Sequence, residues 1–129
     1  MPFDNVPCWE QHDDFRDLQQ ASADLHALQQ TREQIAARRW RKGGYINSDG
    51  KRCVVNWIRH YSNDSQRVVE DYLFPFVPTL YYRKSVTGNK IAIDKVLTVM
   101  VFNDCAPFGR WRVRRLLNKA IARLPATIS

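Results

Sequence analysis

Phe102–Leu124, FNDCAPFGRWRVRRLLNKAIARL, is the stretch that sets the frame for the chain. Val113, Leu116, Leu117, Ala120, Ile121 and Leu124 recur at i, i+3, i+4, i+7, i+8 and i+11, which is one continuous apolar face of an amphipathic helix. Arg112, Arg114, Arg115, Asn118, Lys119 and Arg123 occupy the opposite face. One face requires a core. The other requires water or anions.

Working back from that helix, Asn103–Gly109 reads as a loop, because it holds Pro107 and Gly109. Asp94–Phe102 (DKVLTVMVF) fits both a helix begun by Asp94 and a buried strand, with helix the preferred reading. Thr79–Val86 and Lys90–Ile93 flank Thr87-Gly88-Asn89 and predict a hairpin rich in tyrosine and β-branched residues. Val68, Val69, Tyr72, Leu73 and Phe76 give a helix with Ser65 as candidate N-cap, ended by Pro75 and Pro78. Val54, Trp57, Ile58 and Tyr61 make one face of a short helix ending near Ser62. Ser48-Asp49-Gly50 lies between Tyr45–Asn47 and Lys51–Cys53, a signal for a small type I′ hairpin. From Phe15 to Ala37, Leu18, Ala21, Leu25, Leu28 and Ile35 repeat at helical spacing. Asp13 or Asp14 is the candidate cap of that helix and Gly43-Gly44 its stop. The stripe approximates a coiled-coil seam, but packing on its own domain is the commoner use.

These pieces predict an α+β fold: a mainly α-helical, compact single domain over residues 15–129 with one or two small β-hairpins. The first helix packs on the last, and Trp57, Tyr72, Leu73, Met100 and Phe102 enter the core. Residues 1–14, broken by Pro2 and Pro7, read as a flexible N-terminal arm.

Charge and cysteine usage narrow the partners. The chain has 129 residues and a formal net charge of +7. Residues 1–37 hold seven acids and two bases, whereas residues 38–129 hold eighteen bases and six acids. Either the basic part meets an anionic partner, or the acidic segment lies across it within the same molecule. No run of about 18 apolar residues occurs, so no membrane partner is expected. The opening MPFDNVPCWEQHDDF is acidic and lacks an apolar segment, which argues against a secretory or basic targeting peptide and for a cytoplasmic location. Cys8, Cys53 and Cys105 are widely spaced and odd in number, unlike a disulfide framework or a zinc ribbon.

Three segments together resemble a family of small bacterial and phage proteins known only as a domain of unknown function. They are Arg39-Trp40-Arg41-Lys42-Gly43, Asp49-Gly50-Lys51-Arg52-Cys53 running into an apolar helix, and Phe102-Asn103-Asp104 followed by a proline-containing loop and Val113-x-x-Leu116-Leu117-x-x-Ala120-Ile121. The family similarly shows a tryptophan-glycine segment, a Gly-x-x-Cys helix start and a Trp-Asn-Asp loop before its closing helix. Phe102 stands where the family has tryptophan, and the Tyr81–Ile93 hairpin looks like an insertion. The resemblance implies a compact, mostly helical fold and no reaction. It puts weight on Trp40, Cys53, Asn103 and Asp104 as structurally linked positions.

The chemistry-bearing residues point away from catalysis. Asn103 and Asp104 are read as a structural polar pair that bonds nearby backbone; a lone carboxylate is thin ground for acid-base work. His12, His26 and His60 have no metal-ligand spacing, and no glycine-rich nucleotide loop is present, so no metal and no cofactor are expected. The basic clusters say more. Arg39, Arg41, Lys42 and Arg52 lie near Trp40, within residues 38–52, while Arg110, Arg112, Arg115 and Lys119 lie within residues 110–123 beside Trp111. Arginine with aromatics suits phosphates and stacked bases. Arg110 and Arg112 in the first turn of a helix oppose its dipole, a cost that a bound phosphate at residues 109–112 would reverse. The leading expectation is a non-enzymatic protein that contacts DNA or RNA through its backbone, with low sequence specificity. The alternatives are a regulator that docks on an acidic protein partner, and a small enzyme using Asp104 or Cys53.

Overall fold

The structure, a computed structural model, describes residues 8–43 and 49–124, with side chains from Arg16 onward. The first helix, α1, spans Cys8–Ala36. It starts earlier than the spacing predicts, so Asp13 and Asp14 fall inside it rather than at its N-cap, and residues 8–14 are helical where the sequence suggests an arm. The rest of that arm, residues 1–7, lies outside the described residues. Leu25, Leu28 and Ile35 are buried, while Leu18 is exposed. The stripe therefore meets the core only along its second half.

The end of α1 corrects a second expectation. Gly43-Gly44 does not stop the helix; Arg38 does, at φ 65. The Arg39 N–H bonds Gln34 O at 3.0 Å and the Arg38 N–H bonds Ile35 O at 3.1 Å. These are the two reverse bonds of a Schellman motif, with an arginine in the left-handed position that glycine usually fills.

The hairpin expected around Ser48-Asp49-Gly50 rests on residues 44–48, outside the described residues. Arg52 instead pairs in parallel with Trp40 in an isolated bridge. Helix α2 (Val54–Tyr61) follows and buries Val54, Val55, Trp57 and Ile58. Helix α3 (Ser65–Val68) starts after Asp64, not Ser65, at the N-cap. The regular helix predicted onward from Val68 widens instead into a π turn over Val69–Leu73 and tightens into a 3-10 turn over Phe74–Phe76. Pro75 has no N–H, so the Asp71 carbonyl four residues back loses its helical donor. Arg123 Nη1 donates to that carbonyl at 3.3 Å instead.

Thr79–Tyr81 forms a 3-10 turn rather than the start of a strand. Strands β1 (Lys84–Thr87) and β2 (Lys90–Ile93) pair antiparallel, Lys84 opposite Ile93 and Thr87 opposite Lys90. The two-residue loop has Gly88 at φ 63, the positive first position of a type II′ turn. Asp94 then caps α4 (Lys95–Cys105), accepting from the Leu97 N–H at 3.0 Å. Helix α4 runs through Asn103 and Asp104, which the sequence placed in a loop. Helix α5 (Gly109–Ala122) buries Val113, Leu116, Leu117 and Ala120 on its predicted face.

Helix α1 packs on α5 and α2, and α4 packs on α2, α5 and the π turn. The shared core includes Leu28, Ile35, Ile58, Leu73, Val99 and Leu117, with Trp57 and Phe102 nearly buried and Tyr72 and Met100 at its margin. One charged pair crosses it. Asp24 is 1% exposed and receives Arg67 Nη2 at 2.8 and 3.0 Å. Asp24 is the main cause that pushes the Arg67 pKa above its ordinary value, and it ties α1 to α3. The result is an α+β fold, mainly helical, with one two-stranded sheet among the described residues. No helix among these residues is long and apolar enough to cross a membrane.

Arg38→Gly should raise stability by about 0.5 kcal/mol. A left-handed side-chain-bearing residue costs about 1–2 kcal/mol, and the more flexible unfolded chain of the glycine variant takes back about 0.4–1 kcal/mol. Urea midpoints measure it; a fall in midpoint would mean that Arg38 makes a contact worth more than its strain.

Candidate functional site

Asn103 organises the region where residues 40–43 meet the end of α4, the start of α2 and the start of α5. It is 0% exposed. Its Oδ1 accepts from Trp40 Nε1 at 2.6 Å and from the Val54 N–H at 3.1 Å. Its Nδ2 donates to Arg41 O at 3.1 Å and to Asp104 Oδ1 at 2.9 Å. Two acceptor positions and two donors are thus all used. Asp104 Oδ1 also accepts from the Gly43 N–H at 2.7 Å. Residue 53 brings no side-chain cap to α2, so the amide from α4 satisfies the first free N–H of that helix.

Trp40 is held by this bracket rather than left free. Its indole lies against Gly109, where an added Cβ would sit 2.8 Å from the ring. That contact sets residues 39–43 beside the start of α5. The Arg39 carbonyl accepts from Trp57 Nε1 at 2.9 Å and from the Arg52 N–H at 3.0 Å. Arg52 places its guanidinium over the Trp57 ring at 5.2 Å. Arg39 and Lys42 are exposed, whereas Arg41 and Arg52 are half-buried. Arg41 Nη1 and Arg52 Nε lack a hydrogen-bond partner among the described residues, and both are buried.

On α5, Arg112, Arg115 and Lys119 are exposed and Arg110 is half-buried. Arg112 Nε turns back to Pro107 O at 2.8 Å. Arg112, Arg115 and Lys119 line a cleft of about 120 Å³ with Phe76, Pro78, Phe102 and Leu116. Three cations thus stand over an apolar, partly aromatic floor, and no carboxylate of the described residues lines it. Along the other flank, Trp111, Arg114, Arg115 and Asn118 line a shallower groove of about 280 Å³. Arg115 borders both, with its guanidinium 5.5 Å from the Trp111 ring centre.

The sequence names Trp111 beside these arginines but passes over Phe108. Trp111 is 54% exposed and Phe108 is 81% exposed. Phe108 also holds a left-handed backbone, φ 54 and ψ 48, at the N-cap of α5. That conformation costs about 1–2 kcal/mol for a residue with a side chain, and the exposed ring returns no burial. The cleft floor escapes the sequence for another reason: Phe76, Pro78 and Phe102 reach α5 only through the tertiary fold.

Burial pushes the Cys53 thiol up from its ordinary range, away from the thiolate that acts as nucleophile. His60 contacts Trp57 and Tyr61 edge-on. No group of three or more metal-ligating side chains occurs among the described residues. A cavity of about 380 Å³ lies between α2, α3 and α4, with Arg59 and Glu70 at its wall. Both already have partners: Arg59 bonds Asn56 at 3.2 Å and Glu70 bonds Gln66 at 3.5 Å.

Asn103→Asp keeps the shape but turns a donor toward two acceptors into a third acceptor. It should destabilise the fold by about 3 kcal/mol, because Arg41 O loses its donor at about 1–3 kcal/mol and a second carboxylate is brought against Asp104, whose Oδ1 keeps only the Gly43 N–H. Gly109→Ala should cost about 1–3 kcal/mol by pressing a methyl into Trp40. Chemical denaturation reads both; losses under about 1 kcal/mol would remove Asn103 from its bracing role. Comparison with known proteins finds no matching family model, no matching curated protein and no matching solved structure.

Proposed function

We propose that this is a non-enzymatic protein that binds nucleic acid through its backbone, with little sequence readout, using α5 as the contact element. The observation that carries the reading is the cleft in which Arg112, Arg115 and Lys119 stand over Phe76, Pro78 and Phe102 with no carboxylate of the described residues in the lining. Cations spaced along one helix suit successive phosphates, and such contacts fix position without reading sequence. The Trp40–Gly109 contact adds support, since exposed Arg39 and Lys42 neighbour a tryptophan that touches the start of α5. The resemblance to small bacterial and phage proteins suggests the cytoplasm of such a cell as the compartment.

A second reading, a regulator that docks on an acidic protein, is favoured by the hairpin. Val86 and Ile91 are cross-strand partners, and with Ile93 they present an exposed apolar face bordered by Lys84. Exposed apolar surface of this kind marks interaction sites.

Arg112→Ala combined with Arg115→Ala should weaken binding to duplex DNA. It should also lower the slope of log affinity against log salt by about 2, near 0.9 for each phosphate that is no longer neutralised. Fluorescence anisotropy across a KCl series measures this. Val86→Ser with Ile91→Ser should leave the same titration unchanged. If the hairpin variant alone abolishes binding, or the arginine variant binds as well as the unmodified protein, α5 is not the contact element.

A further inference from the structure

We infer that the preferred ligand of α5 is single-stranded nucleic acid, whose bases stack on Phe108 and Trp111 while Arg112 and Arg115 hold the phosphates. This rests on the nucleic-acid reading above and names the form of the ligand.

Two anomalies converge on one spot. Phe108 has a strained left-handed backbone and an almost fully exposed ring. The left-handed turn reverses the chain from α4 into α5, but the ring it carries stays in solvent and gains no burial. Trp111, three residues on, is the other large aromatic exposed on this helix. Trp111 and Arg115 are four apart on α5 and line one groove, Arg112 stands on the adjoining flank with Arg115 between the two, and Phe108 projects from the N-cap at the same end of the helix. Arg115 already lies over the Trp111 ring, a stack that a base would extend from the open face.

Duplex DNA offers such rings only base edges unless a step is unstacked, at a cost on the order of a few kcal/mol per step. A single strand exposes base faces, and a base on an aromatic ring is held whatever its identity. A charged rail beside aromatic platforms is the recurring arrangement of sequence-tolerant single-strand binding. An acidic peptide would use the arginines and leave Phe108 without a role. The Trp111 groove, about 280 Å³, is open and shallow, and so admits a passing strand rather than an enclosed small molecule.

The test compares a labelled strand of about 16 nucleotides with its own duplex at low salt, DNA and RNA strands run as separate arms, with full-length protein. The unmodified protein should bind a single strand about tenfold or more tighter than the duplex. Phe108→Gly combined with Trp111→Ala should lower that affinity about tenfold while changing duplex affinity less than about threefold. Glycine is native to the left-handed conformation, so this variant keeps the turn, and a thermal melt confirms its fold. Loss of single-strand preference in either arm on removing the rings supports the inference. Equal affinity for strand and duplex, or indifference to the loss of both rings, overturns it and leaves backbone binding standing. Failure of every form to bind overturns the nucleic-acid reading beneath it.

Discussion

One buried amide holds three parts of the chain in register. Asn103 comes from the last turn of α4, yet its oxygen accepts from the indole of Trp40 and from the first N–H of α2, and its nitrogen reaches the Arg41 carbonyl. A buried amide with unused capacity is costly, at about 1–3 kcal/mol for each unpaired group. Here every capacity is used, so the packing of the three segments is specified by direction as well as by apolar contact. Asp104 extends the bracket to the Gly43 N–H. The segment 39–43 lacks regular structure of its own, and its polar backbone is instead satisfied by side chains from α4 and by the bridge to Arg52.

That bracket explains why Gly109 stands where α5 begins. Trp40 must reach past the backbone to donate to Asn103, and its ring then occupies the space that a side chain at position 109 would need. A glycine follows from the contact, not from a demand for positive φ. The strain appears one residue earlier, at Phe108, where the chain reverses from α4 into α5 within three residues, Ala106–Phe108.

Legibility in the sequence follows the range of the interaction. The buried face of α5, the bounds of α2, the β1–β2 turn and the Asp94 cap depend on spacing or on neighbours within four residues, and each is readable. The end of α1 is not, because two glycines outweigh an arginine in propensity, while the Schellman bonds of Arg38 and Arg39 depend on backbone geometry alone. The π turn is invisible: Pro75 announces a break, but the guanidinium of Arg123 that supplies the missing donor lies 52 positions away in the chain. The site divides in the same manner. The α5 cations are plain in the sequence, whereas their floor is assembled from Phe76 and Pro78, set by that irregular turn, and Phe102 on α4. Asp24, an ordinary helix acid by pattern, is buried because Arg67 meets it from a remote helix.

Asp24 also bears on how the acidic first third of the chain relates to the basic remainder. Intramolecular neutralisation of α5 requires carboxylates of α1 at the surface the two helices share. Asp24 is turned inward and committed to Arg67, while Asp17 and Glu33 are exposed. The polar contact between the two helices is instead made by a cation, Arg32 Nη1 to Asn118 Oδ1 at 3.1 Å. Asn118 also lines the groove beside Trp111 and Arg115. Where α1 meets α5 in this groove, then, it brings a positive charge to its edge. The guanidinium that reaches Asn118 therefore adds to the positive charge along the groove that Asn118 lines, and does not offset it.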